Sequence, residues 1–154
     1  MGLTEMALSG YLCVLSVSDI RFRAIRGPYI IIGIVAGMIH LIMMAVSGGP
    51  LTERFRMILV ALLGALPGLL ITILSFYTDK VGRGDGLVLM IIGLFESCMM
   101  SSIIICMGCM MLGAVSIVLL MFHKVSRNTQ MPYIPFVTLS YILLKSYEGS
   151  YLGI

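Results

Sequence analysis

From Gly86 to Phe122 the chain carries a single charged side chain, Glu96. As one helix rising ~1.5 Å per residue, this stretch would extend about 55 Å, far beyond the ~30 Å hydrocarbon core of a bilayer. A water-soluble interior does not explain it either. Of the 154 residues 60% are hydrophobic and 11% charged, and the mean hydropathy is +1.10, so too little polar surface remains to wrap a core. The chain therefore belongs in a membrane, and the long run must turn back within it. Polar side chains from Glu96-Ser97-Cys98 through Ser101-Ser102 mark the turn, which leaves two spans, the first of them short.

Leu3–Ile20, Tyr29–Val46, Met57–Phe76 and Tyr133–Leu144 supply four further apolar segments. The expected fold is an all-α polytopic membrane protein with about six transmembrane helices, forming one membrane-embedded domain over residues 1–154. Turn formers fall in the connections 19–28, 47–56, 77–85 and 123–132. Pro67 predicts a kink in the third span. Gly33-x-x-x-Gly37 and Gly64-x-x-x-Gly68 predict close helix packing within the chain. Glu5 stands where a secretory leader would be basic, and no Lys or Arg precedes Arg21, so the opening segment is expected to remain in the mature protein.

Arg21, Arg23, Arg26, Lys80, Arg83, Lys124 and Arg127 fall in the first, third and fifth connections, whereas Arg54, Arg56 and Lys145 fall on the other side. Basic loops stay inside, which predicts a cytoplasmic face for the odd connections and an external amino terminus. The basic residues are scattered over short loops. They therefore fit anionic lipid head groups and give no nucleic-acid-binding surface.

Two aspartates stand at the edges of apolar segments: Asp19 ends the first span, and Asp85 closes Gly82-Arg83-Gly84-Asp85 at the start of the fourth. A carboxylate at the centre of a spanning helix costs roughly 2.5–3.5 kcal/mol on insertion scales, and less near the interface. Two complete crossings separate these residues, so both carboxyls end on the same face. Carboxyls that share a poorly solvated site cannot both ionise cheaply. One keeps its proton, and the pair can activate water while polarising an amide carbonyl. Gly82, Gly84 and Gly86 predict unusual backbone conformations and room for an extended substrate strand. Two other readings stand beside catalysis. In one, the aspartates are interfacial charges, Asp19 paired with Arg23 and Asp85 favouring its helix amino terminus. In the other, they handle protons or ions in a small transporter. A non-catalytic assembly subunit is a further alternative.

Three segments, taken together, resemble the prepilin peptidase family of membrane aspartyl proteases. Ser18-Asp19-Ile20-Arg21-Phe22-Arg23-Ala24-Ile25 is similar to its first motif, Gly82-Arg83-Gly84-Asp85 to its Gly-x-Gly-Asp motif, and Met131-Pro132-Tyr133-Ile134-Pro135-Phe136 to the entry of its last helix. The chain departs from the family at Ile25-Arg26-Gly27, where Ile-Pro-Asn is usual and the proline is delayed to Pro28. The resemblance implies an aspartic endopeptidase with Asp19 and Asp85 catalytic and Gly82 and Gly84 beside the substrate. Such an enzyme removes the short basic leader of prepilin-like or pseudopilin precursors at the cytoplasmic face of the inner membrane. It implies no metal and no cofactor. The cysteine-bearing insertion of larger relatives is missing, so proteolysis without methyl transfer is expected.

The remaining polar residues call for less. Cys106-Met107-Gly108-Cys109 has the spacing of a metal or redox motif but lies inside a span, where packing is expected, and no disulfide is assigned to Cys13 or Cys98. His40 is expected to hydrogen-bond a neighbouring helix, His123 to lie at an interface, and Glu96 to occupy an outer turn. The fourteen methionines read as adaptable packing.

Overall fold

The computed structural model describes residues 2–22, 25, 27–46, 50–78, 82–122 and 131–151. These form seven helices: α1 (Leu3–Phe22), α2 (Gly27–Val46), α3 (Leu51–Gly64), α4 (Leu66–Tyr77), α5 (Arg83–Phe95), α6 (Cys98–Met121) and α7 (Ile134–Tyr151). No strand occurs among the described residues, and the protein is an all-α membrane protein. Among the described residues three elements are long and apolar enough to cross a bilayer: Gly27–Val46, Leu51–Tyr77 and Cys98–Met121. Their surfaces suit lipid. In α2 only Gly33 and Gly37 are buried, while Ile31, Ile32, Val35, Met38, Ile39 and Ile42 are all exposed, the inverse of a helix that packs in water.

The third apolar segment carries a one-residue irregularity at Ala65, two residues before Pro67. Ala65 lies between α3 and α4, and its N–H reaches the Ala61 and Leu62 carbonyls at 3.2 Å. Pro67 lacks an N–H, and its ring crowds the carbonyl four residues earlier, so the helix must restart there, with Pro67 in the first turn of α4. At its other end, α3 begins after Pro50 and takes in Glu53, Arg54 and Arg56, which the sequence had assigned to a loop. Glu53 in the first turn complements the positive helix end. The Arg54 guanidinium donates to the Ala45 carbonyl at 3.4 Å, tying the start of α3 to the end of α2. The expected turn in the long apolar run is confined to Glu96-Ser97, and the Ser97 hydroxyl caps α6 by accepting the Met100 N–H at 3.4 Å.

The helices form two contact units, residues 25–103 and residues 1–24 with 104–154. In the first, α5 packs against α2, α3 and α4 and buries Val88, Leu89, Ile91, Ile92 and Leu94. The α3/α4–α5 seam is backbone against backbone. A methyl group at Gly64 would strike the Gly93 and Glu96 carbonyls; one at Gly68 would strike the main chain of Met90; one at Gly86 would lie 2.7 Å from the Thr72 nitrogen. Gly37 of α2 likewise admits Leu94. Gly37, Gly64 and Gly68 thus serve packing within the chain, where dispersion rather than water exclusion holds helices together.

In the second unit α1 and α7 run antiparallel. Leu8, Leu12 and Leu15 are buried on α1, as are Ile134, Val137 and Tyr141 on α7. A polar ladder accompanies them. The Ser16 and Thr138 hydroxyls lie 2.6 Å apart, and the Lys145 ammonium is 3.0 Å from both Glu5 and Glu148. That triad explains why α7 continues past Leu144, where the apolar segment was expected to end. Lys145 is buried against two carboxylates instead of lying in a loop. Tyr133, just before α7, donates its hydroxyl to the Ile105 carbonyl of α6 at 3.2 Å.

Candidate functional site

Asp19 occupies the last turn of α1, where a negative charge meets the negative end of its own helix. The structure resolves this conflict with α7. Pro135 lies in the first turn of α7, and the Ile134 N–H donates to Asp19 Oδ2 at 3.2 Å. The carboxylate thus acts as a cap supplied by another helix and takes one of the main-chain donors that a helix start leaves unpaired. Asp19 is only 5% exposed, so this polar contact is made out of solvent. Ser18 beside it is also buried, and its hydroxyl has no hydrogen-bond partner among the described residues.

Asp85 occupies the first turn of α5, where a carboxylate is electrostatically favoured. Its N–H donates to the Gly82 carbonyl at 3.1 Å. Gly82, Gly84 and Gly86 turn out to serve close approach rather than unusual conformation. Gly82 has φ −61° and ψ 122°, open to any residue, and Gly84 and Gly86 are helical. A methyl group at Gly82 would lie 2.8 Å from Asp85 Oδ2, and one at Gly84 would lie 3.1 Å from the Ile25 side chain. Gly82 therefore leaves room for the Asp85 carboxylate, and Gly84 is covered by Ile25.

Asp19 belongs to one contact unit, while Asp85, Gly82 and Gly84 belong to the other. Of the residues that the alternative readings invoke, Arg23 and His123 lie outside the described residues. His40 departs from expectation: its ring stacks on Phe95 at 4.7 Å and 28°, and Nε2 has no hydrogen-bond partner among the described residues. An aromatic neighbour satisfies the ring face without engaging the ring nitrogens. The four cysteines are free, and Cys109 Sγ lies 3.5 Å from the Tyr133 hydroxyl. Among the described residues no three His, Cys, Asp or Glu side chains converge as metal ligands would.

Two contacts escaped the sequence reading. The Ile134 N–H is a main-chain donor and leaves no residue-type signature. The nearest sign was Pro132 and Pro135 marking a helix start. The cover that Ile25 places on Gly84 joins residues far apart in sequence, and no local pattern announces it.

Comparison with family models, with curated proteins and with solved structures returned no match for this chain. Its class therefore rests on its own residues: an all-α membrane protein with Asp19 and Asp85 at helix ends.

Proposed function

We propose that the chain is an aspartic endopeptidase of the prepilin-peptidase type, cleaving the short basic leader from prepilin-like precursors at the cytoplasmic face of the inner membrane. The observation that carries this reading is that the two carboxylates are each placed at a helix amino terminus, Asp19 at α7 and Asp85 at α5.

In the proposed reaction the two carboxyls share one proton. The anionic member accepts a proton from water as the water oxygen attacks the scissile carbonyl, and the protonated member donates a hydrogen bond to the developing oxyanion. Collapse of the tetrahedral intermediate breaks the C–N bond. The departing amine takes a proton from the pair, which returns to its starting state. The pair titrates as a unit. The precursor's basic leader would lie among the head groups and its hydrophobic segment among the exposed apolar helix faces.

Co-expression with a precursor carrying a basic leader and a hydrophobic segment tests this. Asp19→Asn and Asp85→Asn should each abolish processing while the protein still accumulates in the membrane. Full cleavage by either variant refutes the proposal.

A further inference from the structure

At the end of the first unit away from Asp85, the α3–α5 seam opens. It is closed where Gly64 meets the main chain of Gly93 and Glu96. One and two turns earlier on α3, the larger Val60 and Met57 stand in place of glycine. A cavity of about 340 Å³ results, with Met44 of α2 and Phe95 of α5 completing its apolar wall. Its rim is charged, with Glu53 and Arg56 from α3 and Glu96 from the α5–α6 turn. Among the described residues the side chains of Glu53 and Arg56 make no hydrogen bond or ion pair with the protein.

Three features fix the depth and chemistry of this groove. The charged residues of the Leu51–Tyr77 element are confined to its first turns, and no charge follows Arg56, so the rim lies where hydrocarbon gives way to head groups. The Glu96-Ser97 turn at the same level needs a polar environment for its backbone. The rim carries one guanidinium and two carboxylates, a pattern complementary to a zwitterion with a phosphate and a hydrogen-bond-donating cation. An anionic headgroup without a cation would leave Glu53 facing a negative charge. A quaternary ammonium has no N–H to give that carboxylate. The volume is near the lower limit of small-molecule sites, which admits a headgroup and excludes a helix.

We propose that this groove binds the headgroup of an aminophospholipid, its phosphate on Arg56, its primary ammonium on Glu53, and an acyl chain along Met57 and Val60. The site is separate from the aspartates, and the inference does not depend on the peptidase reading.

The full-length protein in mixed micelles containing equal amounts of phosphatidylethanolamine, phosphatidylcholine and phosphatidylglycerol provides the test, with retained lipid counted by native mass spectrometry. One phosphatidylethanolamine should be retained about tenfold over the other two, the discrimination a charge-assisted contact supplies. Arg56→Gln and Glu53→Gln should each remove that preference. Val60→Trp should remove it by filling the groove without changing a charge. The side chains altered are exposed, and unchanged thermal midpoints would exclude unfolding as the cause. Absent or equal retention of the three lipids overturns the proposal, as does a preference for phosphatidylglycerol or an undiminished preference in Val60→Trp.

Discussion

Gly93→Ala and Gly10→Ala make the same chemical change in helix interiors and should move stability in opposite directions. In each case an added methyl group raises intrinsic helix propensity by up to about 1 kcal/mol. At Gly10 the methyl group meets nothing within 4 Å, so that gain stands. At Gly93 it would meet the Gly64 carbonyl and lie 2.8 Å from Ala65 Cα. These are main-chain atoms, which no rotamer change can move. The helices must separate by roughly 1 Å, and a gap of that size forfeits about a quarter to a half of the dispersion well along the face. Overpacking of this kind costs about 1–3 kcal/mol, a factor of about 5 to 150 in the folded ratio. Reversible unfolding in detergent, followed by circular dichroism, measures both variants against the parent. Gly93→Ala should unfold at lower denaturant and Gly10→Ala at equal or higher. If Gly93→Ala matches Gly10→Ala, the helices are not in backbone contact and the account of the seam is wrong.

Thr138→Val should lose about 0.6 kcal/mol and at most about 1.7, the range of interhelical hydrogen bonds in membrane proteins. A double-mutant cycle with Ser16→Ala should show that the loss depends on its partner. Lys145→Met leaves Glu5 and Glu148 facing each other without a cation, and it should destabilise measurably in detergent melts. Because both carboxylates are partly solvated, coupling to Glu5→Gln should stay near 1 kcal/mol. Asp19→Asn keeps an oxygen that can accept the Ile134 N–H, so it should fold like the parent while losing the proposed cleavage. Asp19→Leu removes the acceptor and should lose about 1 kcal/mol of stability, read by the same melts.

The membrane class and most helix positions were legible because they rest on local quantities. Runs of apolar residues fix spans, Glu96-Ser97 marks a turn, and Pro67 marks the irregularity between α3 and α4. The glycines illustrate what local reading misses. Their four-residue spacing announced close packing, but the partner of Gly64 is a carbonyl on α5 that no pattern near Gly64 encodes. Lys145 went astray for a related reason: a charge after an apolar run reads as a loop unless its counterions, one of them Glu5 at the other end of the sequence, are known to be adjacent. At the candidate site the aspartates were visible as costly residues in an apolar setting, while the main-chain donor that holds Asp19 carries no side-chain signal. For Gly82 and Gly84 the expected backbone freedom is not what the structure shows. Space for neighbouring side chains, rather than backbone freedom, explains them.

The brevity of α5 has a mechanical consequence. Thirteen residues cover about 20 Å, some 10 Å less than an ordinary hydrocarbon slab. A helix this short, even where α2, α3 and α4 cover it, reaches both faces of a bilayer if the leaflets dimple around the bundle or polar residues at its ends extend to the interface. Thinning costs fractions of a kcal/mol for every ångström. Such a dimple would draw water and lipid phosphates toward both ends of α5. It would also bias the protein toward thin membranes, so reconstitution into lipids of increasing chain length should progressively disfavour its insertion.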